Sequence, residues 1–390
     1  MKVLLVSPSP PEYLGGLAHF TKFLAKYLGE NNIQVDLLCS TLSKEGTKYE
    51  SYSKNVRVIQ KKCYFFANND NFLKMKNPIF NTLSYLFKYG KEYDIIHVHS
   101  YIYLSTIQTF IYKLLFGKKI PVILHLHGIL EDHASQTTNR IEKLIFLFKK
   151  YFYDVTIGKL MFKKADAIIS VSKRDLLKSH DVFKIDLSNR HNLYYIPNAI
   201  DPEKFKRINK LKRKYIGYVN RLSTYSGIDL FLELIKKYHE IDKQQEFLII
   251  GKGPYLPEVK KAVDKYPIEF REEIPHEEMV NFYNMCSIFI VITRSEGLST
   301  VLLEALSCEV PGVASNVGGN PELIKNGITG YLFENANVDN AIERILKIKS
   351  NDEFEKLGKN GRNLVLNYYS WEKIVKMTIL VYKKLSNRKN

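Results

Sequence analysis

The sequence predicts an α/β protein made of two Rossmann-like domains, each with a parallel β-sheet covered by helices. The chain has 390 residues, which is too long for one typical hydrophobic core. Short β-branched runs alternate with helical patterns in both halves, as in parallel α/β folds. A highly charged stretch, 203–214, separates the two series of strands. We therefore predict domains at residues 1–198 and 199–369, followed by a C-terminal helix at 370–390.

The first half contains a regular succession of buried-type strands. Between the first two strands, the apolar residues Leu17, Phe20 and Leu24 follow helical spacing. The predicted strands are Val3–Ser7, Gln34–Cys39, Ile95–His99, Val122–His127, Ala167–Val171 and Leu193–Ile196.

A second series of strands follows the charged linker, and a helix from Ser370 to about Leu385 ends the chain. Parallel sheets of this kind bind ligands beyond the carboxyl ends of their strands, so we look for the site there. The predicted strands are Tyr215–Val219, Phe247–Gly251, Ile268–Phe270, Ile288–Ile292, Gly312–Ser315 and Gly330–Phe333.

The composition is that of a globular protein, with 45% hydrophobic and 25% charged residues. The nearest approach to a membrane span, Tyr101–Phe116, is interrupted by Gln108, Thr109 and Lys113, which favours a buried helix. The N-terminus has the pattern of a buried strand and lacks the features of a signal peptide. The cysteines fit a reducing cytoplasm, because none forms a CxxC pair. They are Cys39, Cys63, Cys286 and Cys308.

Positive charge is concentrated in the first half, with +12 in residues 1–200 and +5 in residues 201–390. This asymmetry indicates an anionic partner. In the stretch Arg140–Lys164, lysines alternate with leucine and phenylalanine, a pattern typical of a helix on an anionic membrane surface. An ordinary helix with solvated lysines is the alternative. A nucleic-acid-binding protein is less favoured, because no recognisable module accompanies the charge.

Residues 294–304 carry two carboxylates in a pattern that suits a nucleotide. Glu296 lies in a glycine-containing loop, and Glu304 lies about one turn into the apolar helix that follows. Ser299 or Thr300 can cap that helix, whose N-terminus would attract a phosphate. An ionised glutamate accepts hydrogen bonds from sugar hydroxyls. Two acids at this spacing are common on solvated helices, so the pattern alone is a weak signal.

With Gly318–Glu322, this loop and helix resemble the paired donor-site motifs of retaining glycosyltransferase family 4 (glycosyl transferases group 1). The resemblance implies the GT-B fold, in which two Rossmann-like domains face each other across a cleft. It also implies that the second domain binds the nucleotide-sugar, that the first contacts the acceptor, and that the C-terminal helix crosses back to the first domain.

The resemblance assigns roles to residues of the second domain. Glu304 would bind ribose hydroxyls, Glu296 the donor sugar, and Arg221 the diphosphate. Ser226 stands where the family has a lysine, so Lys252 or Arg294 would have to supply the missing charge. Further donor-site residues implied by the resemblance are Gly251, Lys252, Ile274, Gly297, Leu298, Ser299, Thr300 and Val301.

Two features of the first domain match the family as well. Gly15 and Gly16 lie in the turn after the first strand, where the family's loop approaches the donor phosphates and acceptor. His127 matches the histidine that faces the donor sugar. A nicotinamide site is the rival interpretation, since Asp36 follows at a suitable distance. However, the GxGxxG spacing is absent and Asp36 lies within a predicted strand.

We expect no metal and no cofactor, so that the nucleotide-sugar is simply a substrate. His97, His99, His125 and His127 could form a metal site, but for His97 and His125 we favour histidines satisfied within the sheet. No Asp-x-Asp sequence is present to hold a divalent ion against a diphosphate.

The sequence therefore predicts a retaining hexosyltransferase that uses a UDP-sugar in preference to a GDP-sugar. The acceptor would be a glycan or lipid-linked intermediate of a bacterial capsule, O-antigen or lipopolysaccharide. The protein would work in the cytoplasm at the inner face of the membrane. A GT-B UDP-sugar epimerase and a catalytically weak binding subunit remain as alternatives, the second because of Ser226.

Overall fold

The computed structural model describes residues 1–12, 15–41, 48–62, 81–116, 120–128, 140–188 and 190–387. These residues form two compact units. Unit 1 comprises Met1–Pro197 together with Trp371–Asn390, and unit 2 comprises Asn198–Ser370. The C-terminal helix therefore groups with the N-terminal part of the chain, although it follows unit 2 in sequence.

Unit 1 is built on an eight-stranded sheet with the order β3-β4-β2-β1-β5-β6-β7-β8. Its strands are parallel except for the antiparallel pair β3 and β4 at one edge. Every residue of β5 and β6 is buried, as expected for parallel strands covered on both faces. The strands are β1 (Lys2–Val6), β2 (Gln34–Ser40), β3 (Lys48–Ser53), β4 (Val56–Lys61), β5 (Ile95–His99), β6 (Val122–Leu126), β7 (Ala167–Ser170) and β8 (Leu193–Tyr195).

Helices connect these strands in the described part of unit 1. A π-helical segment, Lys149–Gly158, joins two of the helices into one continuous element from Arg140 to Lys164. The helices are α1 (Gly16–Glu30), α2 (Thr82–Tyr89), α3 (Leu104–Phe116), α4 (Arg140–Phe148), α5 (Lys159–Lys164) and α6 (Lys173–Phe183).

Unit 2 has a six-stranded sheet with the order β11-β10-β9-β12-β13-β14, and all of its strand pairs are parallel. The strands are β9 (Tyr215–Val219), β10 (Phe247–Ile250), β11 (Ile268–Arg271), β12 (Cys286–Val291), β13 (Gly312–Ser315) and β14 (Gly330–Phe333). The helices of unit 2 are α7 (Ile228–Ile241), α8 (Leu256–Val263), α9 (Met279–Met285), α10 (Thr300–Ser307), α11 (Asn320–Leu323), α12 (Val338–Ser350) and α13 (Phe354–Tyr368).

The C-terminal helix α14, Trp371–Ser386, packs on α1 within unit 1. The Trp371 ring stacks on Tyr27 at 5.4 Å between centroids and on Phe23 at 5.9 Å. Tyr382 reaches the sheet, where its hydroxyl lies 2.7 Å from Nδ1 of His97. Aromatic packing on α1 and the Tyr382 contact with β5 thus attach this last helix to unit 1.

The predicted α/β class with two largely parallel sheets is confirmed. The hairpin of β3 and β4 was not predicted, because Lys48–Ser53 lacks a clear apolar alternation. The expectation of a buried helix at Tyr101–Phe116 is wrong at its end. Leu114, Leu115 and Phe116 are exposed in the last turn of α3.

None of the helices in the described residues is both long enough and apolar enough to cross a lipid bilayer. Cys39, Cys286 and Cys308 are buried, and Cys63 lies outside the described residues.

Candidate functional site

The strand order of unit 2 reverses between β9 and β12. From β9 the chain continues outward to β10 and β11, whereas from β12 it continues in the other direction to β13 and β14. A crevice forms at such a point, outside the carboxyl ends of the strands, and ligands bind there. The loop after β9 carries Arg221 and Ser226, and the loop after β12 carries Glu296. Residues far apart in sequence therefore meet at one edge of the sheet.

The helix α10 starts directly after the β12 loop. The side-chain oxygen of Ser299 caps it by accepting a hydrogen bond from the N–H of Leu302 at 3.3 Å, so Ser299 is the cap and Thr300 is the first helical residue. The N–H groups of Thr300 and Val301 belong to the first turn, where a backbone N–H has no acceptor within its own helix. Their position and the helix dipole favour an anion at this end of α10.

Glu304 lies one turn into α10 and is only 4% exposed. The hydroxyl of Tyr283 donates to its Oε2 at 2.6 Å, and Nε2 of His276 lies 3.2 Å from its Oε1. Among the described residues, no lysine or arginine forms an ion pair with this carboxylate. The predicted ribose-binding residue is therefore a buried acceptor that the side chains of Tyr283 and His276 hold in place.

Glu296 is half-buried in the loop before α10. Burial raises the pKa of its carboxyl to about 7, and the backbone N–H of Gly297 opposes this shift. Near neutral pH this group is thus balanced between an acceptor and a hydrogen-bond donor.

The predicted Gly-Gly turn packs directly against this loop. Gly318 has a φ of +49°, and an added Cβ would lie 1.6 Å from the carbonyl oxygen of Glu296. The N–H of Gly319 donates to the carbonyl of Gly297 at 2.7 Å. On the other side, the side-chain amide of Asn198 donates to the carbonyl of Leu298 at 2.7 Å. The loop that carries Glu296 is therefore held on both sides.

Ser226 and Arg221 lie in the loop after β9. Ser226 is buried, and its hydroxyl is 3.2 Å from that of Ser223, so it occupies the place of the family's lysine without a charge. The guanidinium of Arg221 is exposed to solvent.

Of the two cations predicted to replace the lysine, Arg294 is a poor candidate. Its guanidinium binds both carboxylate oxygens of Asp229, at 2.8 and 2.6 Å, and also the carbonyl of Thr224. Among the described residues, the ammonium of Lys252 forms an exposed ion pair with Glu273, and its backbone carbonyl accepts from the N–H of Leu222. Lys252 therefore lies next to the Arg221 loop and remains the available cation.

The remaining donor-site predictions lie in neighbouring loops of unit 2. Gly251 and Gly253 pack against the Arg221 loop, since an added Cβ would lie 2.0 Å from the carbonyl of Asn220 and 2.3 Å from that of Leu222, respectively. Ile274 is half-buried in the loop after β11, two residues before His276. The structure thus brings the predicted residues of unit 2 to the carboxyl ends of β9, β10, β11 and β12.

In unit 1, Gly15 and Gly16 open helix α1 after the first strand. An added Cβ at Gly16 would meet no atom of the described residues within 4 Å. Packing against the described part of unit 1 therefore does not account for the choice of glycine at this position.

The four predicted histidines form a stacked cluster on β5 and β6. Nε2 of His127 lies 2.9 Å from Nδ1 of His99, and Nε2 of His97 lies 3.2 Å from Nδ1 of His125. Burial lowers the pKa of His127 to about 3, and it lowers the pKa of the other three as well. His127 is therefore neutral at physiological pH and can donate or accept a hydrogen bond.

We expected His97 and His125, as residues of the sheet, to have hydrogen-bond partners, and this holds fully only for His97. Both ring nitrogens of His97 have partners, whereas Nε2 of His125 has none among the described residues. Ring nitrogens of His97, His99 and His125 lie within 4.8 Å of one another, so these residues could hold a metal. In this structure Nε2 of His97 instead lies at hydrogen-bond distance from Nδ1 of His125, and Nδ1 of His97 contacts the hydroxyl of Tyr382.

Asp36 lies inside β2, and its carboxylate binds Arg57 of the adjacent strand at 2.9 and 2.7 Å. The hydroxyl of Tyr93 donates to the same carboxylate at 2.6 Å. These contacts fit a structural ion pair and not the ribose contact of a nicotinamide site.

Sequence reasoning did not assign His276 or Tyr283 to the site. His276 lies in a loop without periodicity, and Tyr283 looks like an ordinary apolar position of α9. Their role becomes visible only where three separate segments meet at Glu304.

Two protein-family models match the chain. The model for Glycosyltransferase Family 4 matches residues 14–204, and the model for Glycosyl transferases group 1 matches residues 200–364. Together they cover most of both units.

Individual glycosyltransferases are also similar to this chain in sequence or in fold. An uncharacterized glycosyltransferase of Methanocaldococcus jannaschii is 29% identical over 99% of both chains. The capsular polysaccharide biosynthesis glycosyltransferase CapM of Staphylococcus aureus is 28% identical over 58% of this chain and 65% of its own. The fold resembles that of Anabaena HepE in complex with UDP, with a TM-score of 0.70, 15% identity, and coverage of 98% of this chain and 100% of that chain.

Proposed function

Because the chain belongs to the group 1 and family 4 glycosyltransferases, which have the GT-B fold, we propose that it transfers a hexose-type sugar from a nucleotide-sugar. We favour UDP over GDP as the nucleotide, because the similar Anabaena fold binds UDP. We further propose that the anomeric configuration is retained.

The observation that carries this proposal is the pairing of Glu304 with the N-terminus of α10. The helix end offers the N–H groups of Thr300 and Val301 to a phosphate. The carboxylate one turn further offers acceptors to ribose hydroxyls. A nucleoside diphosphate carries both phosphate and ribose hydroxyls, whereas an isolated phosphate or sugar would use only one of these two features.

The other residues of the unit 2 site have roles in the transfer itself. Glu296 binds hydroxyls of the donor sugar. Arg221 and Lys252 stabilise the negative charge that develops on the departing diphosphate. They take the part of the lysine that Ser226 replaces. His127, on unit 1, is a neutral hydrogen-bonding partner for the donor sugar.

We propose that the reaction needs no metal and no cofactor. Cations of the protein and the N-terminus of α10 neutralise the diphosphate, which is the role that a divalent ion would otherwise have. Catalysis then rests on positioning and electrostatic stabilisation as positive charge develops at the anomeric carbon.

We propose a lipid-linked or glycan acceptor at an anionic membrane surface. The element Arg140–Lys164 exposes a row of apolar side chains together with basic ones, which suits the interface of an anionic bilayer. The exposed apolar residues are Ile141, Leu144, Phe148, Tyr151, Phe152 and Leu160. The similarity to CapM, a capsular polysaccharide biosynthesis glycosyltransferase, supports a role in surface polysaccharide synthesis. We propose that the pathway is that of a bacterial capsule, O-antigen or lipopolysaccharide and that the protein works at the cytoplasmic face of the membrane.

A second candidate is a catalytically weak, donor-binding subunit, and the observation behind it is the uncharged Ser226. If Lys252 does not contact the diphosphate, nucleotide binding would persist while transfer stays slow. Faster turnover in Ser226→Lys than in wild type would favour this candidate.

The proposal is tested by incubating the protein with radiolabelled UDP-sugars and a lipid extract of the source cells. We expect label in the lipid fraction and release of UDP only when the extract is present. Glu296→Gln should lose transfer, whereas Glu343→Gln, an exposed change on α12, should keep it. UDP release without acceptor, together with epimerised sugar, would instead identify an epimerase.

A further inference from the structure

Two separate segments of unit 2 contact the carboxylate of Glu304, namely the loop that carries His276 and helix α9 with Tyr283. Lys204, from a third segment, contacts the other ring nitrogen of His276. We propose that His276 is a positioning residue that directs Glu304 toward the ribose hydroxyls of the nucleotide. This inference rests on the proposed function, because it assumes that Glu304 binds the ribose.

The hydrogen bonds of Glu304 leave room for a diol. An ionised carboxylate has about four lone-pair positions and donates none. Tyr283 takes one position on Oε2, at 2.6 Å, and His276 takes one on Oε1, at 3.2 Å. Each oxygen therefore keeps an acceptor position, and a vicinal diol presents two hydroxyl donors.

The contacts of His276 select one tautomer. Its Nε2 must carry the hydrogen, because the oxygen of Glu304 can only accept. Nδ1 then accepts from the ammonium of Lys204, which lies 2.8 Å away and can only donate. The partner of one ring nitrogen thus fixes the hydrogen on the other, as in other positioned histidines.

Phe205 holds this arrangement in place. Its ring packs edge-on against His276 at 5.5 Å and against Tyr283 at 6.0 Å. Its carbonyl accepts from the hydroxyl of Ser307, at the end of α10, and from the guanidinium of Arg362 on α13. The loop that carries His276 is therefore packed on a fixed part of unit 2.

A purely structural role explains these contacts poorly. A buried carboxylate is costly without a cation, and the described residues give Glu304 no lysine or arginine partner. The donors on Tyr283 and His276 keep it buried and oriented but do not use up its acceptor capacity. His276 keeps 31% of its side chain exposed, whereas Tyr283 is fully buried. His276 is therefore the supporting group that a ligand at Glu304 would cover.

The test compares nucleotides with and without the ribose hydroxyls. Calorimetry first identifies which of UDP, GDP and ADP wild type binds most tightly. The dissociation constant of its 2′,3′-dideoxy analogue is then divided by that of the nucleotide itself. We expect a ratio of at least about tenfold for wild type, because hydrogen bonds to the Glu304 carboxylate are lost.

Three variants complete the experiment. His276→Ala should lower this ratio to about threefold or less, because Glu304 is no longer oriented. His276→Gln places an amide N–H near the position of Nε2 and should restore most of the ratio. His239→Ala, a half-buried histidine of α7 in the same unit, should leave it unchanged. Melting temperatures without ligand check that each variant is folded.

The outcomes separate this inference from the proposed function. A wild-type ratio near one would mean that Glu304 does not contact the ribose, and both proposals would fail. A wild-type ratio of tenfold that persists in His276→Ala would overturn the positioning role alone. An equal loss of the ratio in His276→Ala and His276→Gln would also contradict it, since the amide N–H would then have no effect.

Discussion

Glu296 and Glu304 are separated by one loop and one helical turn, yet the two carboxylates have different hydrogen-bond partners and different environments. Glu304 receives two side-chain donors and stays available as an acceptor. Burial raises the pKa of Glu296 to about 7, although one backbone donor, the N–H of Gly297, opposes this shift. At the scale of single residues, the site therefore contains one fixed acceptor and one group that titrates near neutral pH.

The raised pKa of Glu296 makes a prediction about stability. The folded protein keeps this proton between about pH 4.5 and 7, whereas the unfolded chain has released it. The free energy of unfolding should therefore decrease as pH rises through this window, by up to about 3 kcal/mol. Glu296→Gln removes this source of pH dependence.

Urea unfolding of wild type and Glu296→Gln across this pH range checks the prediction. All other titrating groups are common to both proteins, so they cancel in the difference. The variant should gain stability relative to wild type as pH rises. If the free energies of unfolding of the two proteins change with pH in parallel, the pKa of Glu296 is not raised.

Arg221 should act on the diphosphate and not on the nucleoside. We expect Arg221→Met to weaken UDP binding by about tenfold, because a charge-assisted hydrogen bond is lost, while uridine binding stays the same. Lys236→Met, an exposed change on α7, is the control. Equal losses for UDP and uridine in Arg221→Met would mean that this residue shapes the loop instead.

At the scale of elements, the β12 loop depends on the glycine turn that packs against it. Gly318→Ala would force a Cβ to within 1.6 Å of the carbonyl oxygen of Glu296 at a φ of +49°. Gly327 has a similar φ of +72°, but its nearest neighbour would be 3.7 Å away. The two positions share the same backbone strain and differ in the clash.

We therefore expect Gly327→Ala to cost about 1 kcal/mol of stability, as for an ordinary left-handed glycine. Gly318→Ala should cost several times more, on the order of 3 kcal/mol, and it should also weaken nucleotide binding. Chemical unfolding and UDP titration of both variants measure these effects. Similar stabilities for the two variants would contradict the packing described here.

The element Arg140–Lys164 should bind anionic membranes through its exposed apolar side chains. We expect the protein to sediment with vesicles of phosphatidylglycerol and phosphatidylcholine at low salt, and less with phosphatidylcholine alone. A double change, Phe148→Ser with Phe152→Ser, should reduce binding to the mixed vesicles. Leu380→Ser on α14, which also removes an exposed apolar side chain, should not reduce it. Equal vesicle binding by the double variant and by Leu380→Ser would show that Arg140–Lys164 does not mediate membrane binding.

At the scale of the whole molecule, local patterns in the sequence were enough for most of the fold. Tyr215–Val219, Gly312–Ser315 and Gly330–Phe333 were predicted with the observed bounds, because each is a short apolar run between turn residues. The strands Lys48–Ser53 and Val56–Lys61 were both missed. The first has few apolar residues and pairs only at the edge of its sheet, whereas the second does contain the apolar residues Val56, Val58 and Ile59.

The site was less predictable where it depends on contacts between distant segments. Ser299 could be recognised as a cap from its neighbours, and the structure has it there. The pairing of Arg294 with Asp229, and of Glu304 with His276, joins residues from separate loops and helices. Local sequence patterns do not predict such partners. The sequence therefore could not show that Arg294 is already paired with Asp229 and is a poor replacement for the lysine.

The central claim is that Glu304 and the start of α10 bind the nucleotide of a sugar donor. Calorimetric titration of UDP, GDP and ADP into wild type, Glu304→Gln and Glu343→Gln tests it most directly. We predict that one nucleotide binds wild type with a micromolar dissociation constant, at least about tenfold more weakly in Glu304→Gln, and unchanged in Glu343→Gln. Binding to Glu304→Gln as tight as to wild type, or no binding of any nucleotide to wild type, would contradict the account.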